Sequence, residues 1–122
     1  MSMVDSAQSE QLWGQVCTAF IRILERDSNC AAARSGLGLG LLALGDVKEA
    51  CAQLQSATRL EPTPDHVCNL ALGLMHTGRE VEADLLLSGV LDTVPQHQAA
   101  RTTLAWLREK RQAVSFAASQ RG

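Results

Sequence analysis

The stretch from Arg34 to Asp46 decides the fold, and it reads RSGLGLGLLALGD. Its four glycines fall within ten residues, a density typical of phosphate-binding loops or of helices that pack very closely. A dinucleotide fingerprint needs a strand before the glycines and a helix that begins at them. The residues that lead into these glycines, CAAARS, favour a helix instead. Each glycine inside a helix costs about 0.8–1 kcal/mol relative to alanine, so close approach of a neighbouring helix is the expected compensation.

The glycine-rich stretch has a second copy in the chain. A shift of 33 residues places LGLGLLALGDVKEACAQL at 37–54 over LALGLMHTGREVEADLLL at 70–87. In this alignment the small residues and the residues that end helices coincide, since Gly40 aligns with Gly73 and Gly45 with Gly78. A shift of 34 extends the pattern in both directions. Such a period is typical of repeat architectures, so the chain is predicted to hold half a unit, two whole units and another half.

Each unit is predicted to contain two helices joined at a glycine. Gly45 and Gly78 stand where a left-handed residue closes a helix. Asp46 follows and is predicted to cap the next helix, with Glu49 completing a capping box. Thr63 is predicted to cap a later helix that has a proline in its first turn.

These signals predict an all-α fold of about six helices. The helices are expected near 8–26, 31–44, 47–60, 64–77, 80–93 and 97–118. They form one domain over 9–118, with a half repeat at 9–30, repeats at 31–63 and 64–97, and a terminal helix at 97–118. Residues 1–8 are expected to be disordered, and 119–122 to form a flexible tail.

Composition argues against several classes of protein. A net charge of −2 gives no basic footprint for nucleic acid. The chain has no run of eighteen apolar residues and no secretory signal, so we expect a cytoplasmic protein without membrane insertion. Its four cysteines form no C-x-x-C pair and its three histidines are scattered, so we expect no metal and no cofactor. No nucleophile, base and orienting group can be argued from spacing, so we expect no enzyme.

The charge is nevertheless uneven along the chain. Residues 1–97 hold six Lys/Arg against twelve Asp/Glu, which gives −6, and residues 98–122 hold five against one, which gives +4. One interpretation is a solvated final helix whose cations suit a helix C-terminus. The other is a surface for an acidic partner or a neighbouring copy.

Antiparallel helix pairs repeated every 33–34 residues, with small residues at fixed positions, resemble the tetratricopeptide repeat. The matching residues are Leu37, Gly38, Gly45, Ala50, Leu54, Ala57 and Pro62 in one unit and Leu70, Ala71, Gly78, Ala83, Leu87 and Pro95 in the next. The resemblance covers roughly residues 9–110. Leucines replace most of the family's usual aromatic residues, and its tryptophan column holds Arg34, Val67 and Arg101. The resemblance implies a right-handed superhelix that acts as a non-enzymatic scaffold for peptides or protein segments.

The resemblance also implies that the first helices of successive units line a concave groove. Mapped onto this chain, the predicted binding residues are Leu39, Leu42, Asn69, Leu72, Met75, His76 and Trp106, with Thr102, Glu109 and Lys110 on the same surface. Family members that grip the terminal carboxylate of heat-shock chaperones use basic and amide side chains, of which only Asn69 is matched. We therefore expect no such clamp, and the predicted ligand is an apolar peptide or an amphipathic helix.

Two alternatives stay open at this point. The first concerns function: in place of a scaffold, the chain is a small dedicated chaperone that shields an apolar segment of a secretion or assembly subunit. The second concerns the groove: some of its leucines belong to the core, or are covered by the protein's own tail at 117–122.

The first predicted helix is apolar nearly all round. A helix covered on one side needs an apolar stripe only a little wider than 100°, and this one has more. Its expected preceding partner helix does not fit in eight residues, so the chain is either part of a longer array or docks this face on something. A second copy is the expected partner, through Leu12, Trp13, Phe20, Ile21 and Leu24.

Overall fold

A computed structural model describes residues 6–121, which form helices joined by short turns. The helices are α1 (Ser6–Arg26), α2 (Ala31–Leu44), α3 (Val47–Leu60), α4 (Pro64–His76), α5 (Glu80–Thr93) and α6 (Gln98–Arg121). No strand occurs within these described residues, so the predicted all-α fold with six helices is confirmed. None of the six helices is long and apolar enough to cross a membrane.

The predicted helix ends differ most at the two ends of the chain. Residues 6–8, predicted to be disordered, form the first turn of α1, and residues 1–5 lie outside the described residues. Residues 119–121, predicted as a flexible tail, belong to α6, and residue 122 lies outside the described residues. Because no proline or glycine interrupts 98–121, nothing in that sequence ends the helix earlier.

Glycines close α2 and α4 as predicted. Gly45 has a φ of 87° and Gly78 a φ of 80°, both in the left-handed region. After Gly45, the N–H of Asp46 donates to the carbonyl of Leu41 at 2.9 Å, and the turn after α4 has the equivalent bond. This is the Schellman arrangement, which satisfies carbonyl groups that the helix end would leave unpaired.

One of the two predicted N-caps is confirmed and the other is wrong. Thr63 Oγ1 accepts a hydrogen bond from the N–H of His66 at 3.2 Å, as a capping threonine does. The side chain of Asp46 makes no capping bond, because its ψ of 72° lies outside the extended conformation that a capping side chain needs. Glu49 does not complete a capping box either, and its Oε1 accepts from Gln53 Nε2 at 3.0 Å.

The helices stack in two layers. Each helix packs against the next along the chain, and α4 also contacts both α2 and α6. Among the described residues, no Cα atom of α1, α3 or α5 lies within 8 Å of a Cα atom of another of these three helices. By contrast, α4 has Cα atoms within 8 Å of α2 and of α6, so these three helices lie closer together than α1, α3 and α5 do. The stack therefore curves with α2, α4 and α6 on its inner side. The right-handed sense of a superhelix stays a prediction.

Two side-chain bridges hold the inner layer together. Asn69 Nδ2 donates to Ser35 Oγ at 2.8 Å, which joins α4 to α2. His97 Nε2 lies 2.8 Å from Asp65 Oδ1, which joins the start of α6 to the start of α4. The other ring nitrogen of His97 accepts from the N–H of Ala100 at 3.2 Å, so Nε2 carries the proton and Nδ1 caps α6.

The glycines of α2 allow close helix contacts, as predicted. A Cβ placed on Gly38 would lie 2.6 Å from Leu54 Cγ of α3. A Cβ on Gly40 would lie 2.7 Å from Cys17 Sγ of α1. Both distances are shorter than carbon and sulfur atoms tolerate, so α2 accommodates its two neighbours only because these side chains are missing.

The period found in the sequence is also present in the packing. Cys17 of α1 lies against Gly40 of α2, and Cys51 of α3 lies against Gly73 of α4, where a Cβ would come within 3.0 Å of the sulfur. The two cysteines are 34 residues apart and the two glycines 33, so equivalent residues form the contact between one unit and the next. The chain therefore repeats a helix junction and not merely a sequence pattern.

Small and large apolar residues share the core. Five alanines, at positions 50, 57, 71, 83 and 100, are fully buried, and they bring the helices close together. The largest fully buried side chains are Leu54, Leu87 and Leu107, one each from α3, α5 and α6. Interiors are packed at nearly crystalline density, so these leucines fill the space that the alanines leave between helices.

Ion pairs link the exposed side of α6 to the start of α5. Arg108 Nε lies 3.2 Å from Asp84 Oδ2, Arg111 adds a longer contact to the same carboxylate, and Lys110 Nζ lies 3.3 Å from Glu80 Oε1. The hydrogen bond from Arg108 holds the pKa of the Asp84 carboxyl below its ordinary value. The main anchors of α6 are its buried residues Leu104 and Leu107, and the surface ion pairs add to them.

Candidate binding groove

The inner faces of α4 and α6 border an open hollow of about 590 Å³. Its lining residues are Leu72, Met75, His76, Thr102, Thr103, Trp106 and Lys110. This volume lies within the range of about 300–1,000 Å³ that is usual for ligand sites. An apolar floor with a few polar groups at its edge is suited to hold an apolar side chain in a defined orientation.

Trp106 forms the α6 wall because of its neighbours in the helix. Leu104 and Leu107 are buried in the core, so the indole between them points to another side of the helix and is 54% exposed. Lys110 Nζ lies 5.3 Å from the ring centroid, which is a cation–π contact. Tryptophans are enriched among the residues that contribute most to binding surfaces.

Leu72 and Met75 form the α4 wall. Ala71 and Leu74 are buried in the core that α4 shares with α5 and α6, and the residue after each of them is only half-buried. Leu72 and Met75 therefore lie on the side of α4 that faces the hollow. Met75 also packs against this core, and its flexible thioether can adapt to ligands of different shape.

Four of the seven predicted binding residues meet in this one hollow. They are Leu72, Met75, His76 and Trp106, and they are joined by Thr102 and Lys110 from the same mapped surface. Thr103 was not among the predicted binding residues. It stands three residues before Trp106, and side chains at that spacing share a helix face, so the spacing alone could have identified it.

The other predicted groove residues lie elsewhere. Leu39 and Leu42 are half-buried on α2 and do not line this hollow. The amide of Asn69 is engaged with Ser35 between α2 and α4, so it serves as a link between helices. Glu109 lines a separate hollow, on which Trp106 also borders.

The protein's own tail does not cover the groove within the described residues. The chain continues as helix to Arg121, and every side chain from 112 to 121 is exposed. A tail folded over the groove would be shielded on the side that touches it. Residues 117–121 are therefore not the occupant that one alternative from the sequence proposed.

A cysteine, a histidine and an aspartate lie close together near the start of α6. Cys68 Sγ lies 3.9 Å from His97 Nδ1, and Asp65 contacts the opposite nitrogen of the ring. Burial raises the pKa of the Cys68 thiol, and the N–H of Ala100 already occupies Nδ1. The thiol is not activated as a nucleophile in this arrangement. Across 6–121, no group of three or more histidine, cysteine or acidic side chains could hold a metal ion.

The predicted self-association residues on α1 divide into two sets. Phe20 packs its ring against Gly36 of α2 and Leu24 is half-buried, so both contribute to packing within the chain. Leu12, Trp13 and Ile21 are exposed, and Val16 and Ile23, which the predicted set omitted, are exposed as well.

Comparison with α3 shows what the exposed face of α1 lacks. Val16 and Ile23 occupy the positions of Ala50 and Ala57, which are fully buried because α3 lies between α2 and α4. Among the described helices, only α2, the helix that follows it, has Cα atoms within 8 Å of those of α1. The exposed stripe of α1 is therefore the surface that, on the equivalent helix α3, is covered by α2.

Self-association through this face stays a prediction. We expect sedimentation at high micromolar concentration to show a dimer for the wild type and a monomer for Ile21→Glu, because a carboxylate buried without a partner is costly. Val81→Glu, at an exposed position of α5, is the matched control and should remain dimeric. A monomer in all three proteins would contradict the prediction.

Neither a scan against known protein-family models nor a search of curated proteins finds a match to this chain. The resemblance to the tetratricopeptide repeat therefore rests on the residues of the chain alone, and it stays a prediction.

Proposed function

We propose that this chain is a non-enzymatic binding module of the tetratricopeptide-repeat type. In this proposal, an apolar segment of another protein lies in the hollow between α4 and α6. The observation that carries the proposal is the half-exposed Trp106, which contacts Lys110 and lies across the hollow from Leu72 and Met75. The repeated Cys–Gly junctions and the inner layer of α2, α4 and α6 support the assignment to a repeat family.

The physical basis of binding is the removal of apolar surface from water. The indole of Trp106 and the side chains of Leu72 and Met75 together offer a large apolar area that no described residue covers completely. Both walls belong to helices fixed by core leucines and by bridges such as His97–Asp65. A rigid site loses little conformational entropy when it binds, so more of the gain from burial remains as affinity.

Trp106→Ala is expected to weaken binding about tenfold or more, because central tryptophans often contribute the most to an interface. The probe is a fluorescent, lactam-bridged helical peptide with leucines at positions i, i+3, i+4 and i+7, and the measurement is fluorescence anisotropy. The variant should keep the wild-type helicity and melting temperature, because the indole is half-exposed and not part of the buried core.

Phe116→Ala is the matched control on the same helix. Phe116 is also an exposed aromatic residue, but it lies beyond the hollow, so its removal should leave the affinity unchanged. An equal loss of helicity and binding in Trp106→Ala would show that Trp106 supports the core. A wild-type protein that binds no apolar peptide at all would contradict the proposed function.

A further inference from the structure

Basic side chains border the hollow between α4 and α6. Two of its seven lining residues, His76 and Lys110, carry basic groups, and none of the seven is acidic. The helix that supplies Trp106 and Lys110 belongs to the segment 98–122, which holds five Lys/Arg against one acidic residue. The floor is apolar, so the hollow combines an apolar surface with one ammonium, that of Lys110, which also pairs with Glu80 of α5.

Lys110 can share its charge with a ligand. Its ammonium lies 3.3 Å from Glu80 Oε1 and 5.3 Å from the centre of the Trp106 ring, and it remains 46% exposed. Exposed ion pairs contribute little to stability, about 0–1 kcal/mol, so the existing pair does not hold the ammonium tightly. An ammonium has three donors, and a second carboxylate can bind beside the first.

The length of the α6 wall defines the size of the occupant. Thr102 and Lys110 are eight residues apart in one helix, a distance of about 12 Å at 1.5 Å per residue. Two turns of a second helix cover that length and present apolar side chains at i, i+3, i+4 and i+7. Lys110 lies one turn beyond Trp106, so an acidic side chain one turn from the apolar anchor reaches it.

We propose that the partner segment is an acidic amphipathic helix, with its apolar face on Leu72, Met75 and Trp106 and a carboxylate paired with Lys110. This inference rests on the proposed function and adds the helical form and the charge of the ligand. Pairing with Lys110 sets which segment binds and how it is oriented, whereas the apolar contacts provide most of the affinity.

The test compares three bridged helical peptides that share the same leucines. They carry glutamate, glutamine or lysine one turn from the last leucine, and each is titrated into the wild type, Lys110→Ala and Lys110→Glu. On the wild type we expect the glutamate peptide to bind about fivefold more tightly than the glutamine peptide, as one exposed ion pair allows. Lys110→Ala should remove this preference, and Lys110→Glu should reverse the order of the acidic and basic peptides.

Two further measurements separate the charge effect from general causes. Raising NaCl from about 0.05 to 0.5 M should reduce the difference between peptides and leave the Trp106-dependent affinity. Lys48→Glu makes the same charge change on an exposed residue of α3 and should preserve the wild-type order.

An unbridged peptide with a central proline cannot form the helix and should bind weakly.

Each outcome bears on a different part of the proposal. Equal affinity for all three peptides, with Trp106→Ala still weakening each, would overturn the acidic ligand and leave the proposed function intact. Equal binding of the proline peptide would overturn the helical form. Failure of every peptide to bind would overturn the proposed function itself. If Lys110→Glu does not fold, the peptide order on the wild type and Lys110→Ala decides the question.

Discussion

Gly38→Leu is expected to lower the free energy of unfolding by about 3 kcal/mol, as overpacking of a tight core does. A Cβ at this position would lie 2.6 Å from Leu54 Cγ and 3.2 Å from the carbonyl oxygen of Ala50. Leu54 is fully buried, so it has no open space to enter, and the carbonyl belongs to the backbone of α3. Chemical denaturation followed by far-UV circular dichroism measures the loss.

Gly89→Ala is the matched control for this prediction. Gly89 also lies inside a helix, but it is exposed and has no neighbouring atom within 4 Å of a Cβ. There the higher helix propensity of alanine should raise stability by about 0.8–1 kcal/mol. Gly38→Ala gains the same propensity and should still be less stable than the wild type. If both alanine variants were stabilised alike, close packing would not be the reason for the glycines of α2.

Most of the fold could be predicted because the same local signals for helix ends and close packing occur in both repeat units. Gly45 and Gly78 recur at one position of the period, and both adopt the left-handed conformation that ends a helix. The small residues of α2 indicated close contacts because glycine is unfavourable inside a helix unless something compensates it. Such signals depend on the residue and its neighbours, so the sequence alone reveals them.

The absence of a side-chain cap at Asp46 could not be predicted, because it depends on a torsion angle. Asp46 stands where its side chain could cap α3, and the sequence pattern fits. Its backbone N–H, however, donates to the carbonyl of Leu41 and so closes the end of α2. In this conformation Asp46 has a ψ of 72°. When one residue both ends a helix and precedes the next, the geometry of the turn decides which role it has.

The candidate site was predicted where one helix face decides it and missed where the spacing between helices decides it. Leu72, Met75 and His76 share one face of α4, and Trp106 lies on the matching face of α6, so periodicity places them together. Asn69 fits the same periodicity on α4. Its partner is Ser35, 34 residues earlier, and only the distance between α2 and α4 determines that the two bond.

Leu87→Ala is expected to lower the free energy of unfolding by about 2–5 kcal/mol, the usual cost of removing a large side chain from a core. Leu87 is 0% exposed and lies among the buried residues of α4, α5 and α6. The cost includes the lost burial of the removed methyl groups and the cavity that rigid neighbouring helices cannot fill. Equilibrium denaturation in urea is the measurement.

Leu85→Ala is the matched control, because it makes the same change two residues earlier in α5. Leu85 is 67% exposed, so its replacement should change stability by no more than about 0.5 kcal/mol. Leu54→Ala extends the test, since Leu54 holds the equivalent position of the preceding unit and is also fully buried. If the two units are structurally equivalent, Leu54→Ala and Leu87→Ala should cost similar amounts, because each repeat contacts mainly its neighbours. A small effect at Leu87, or one no larger than at Leu85, would contradict the core described here.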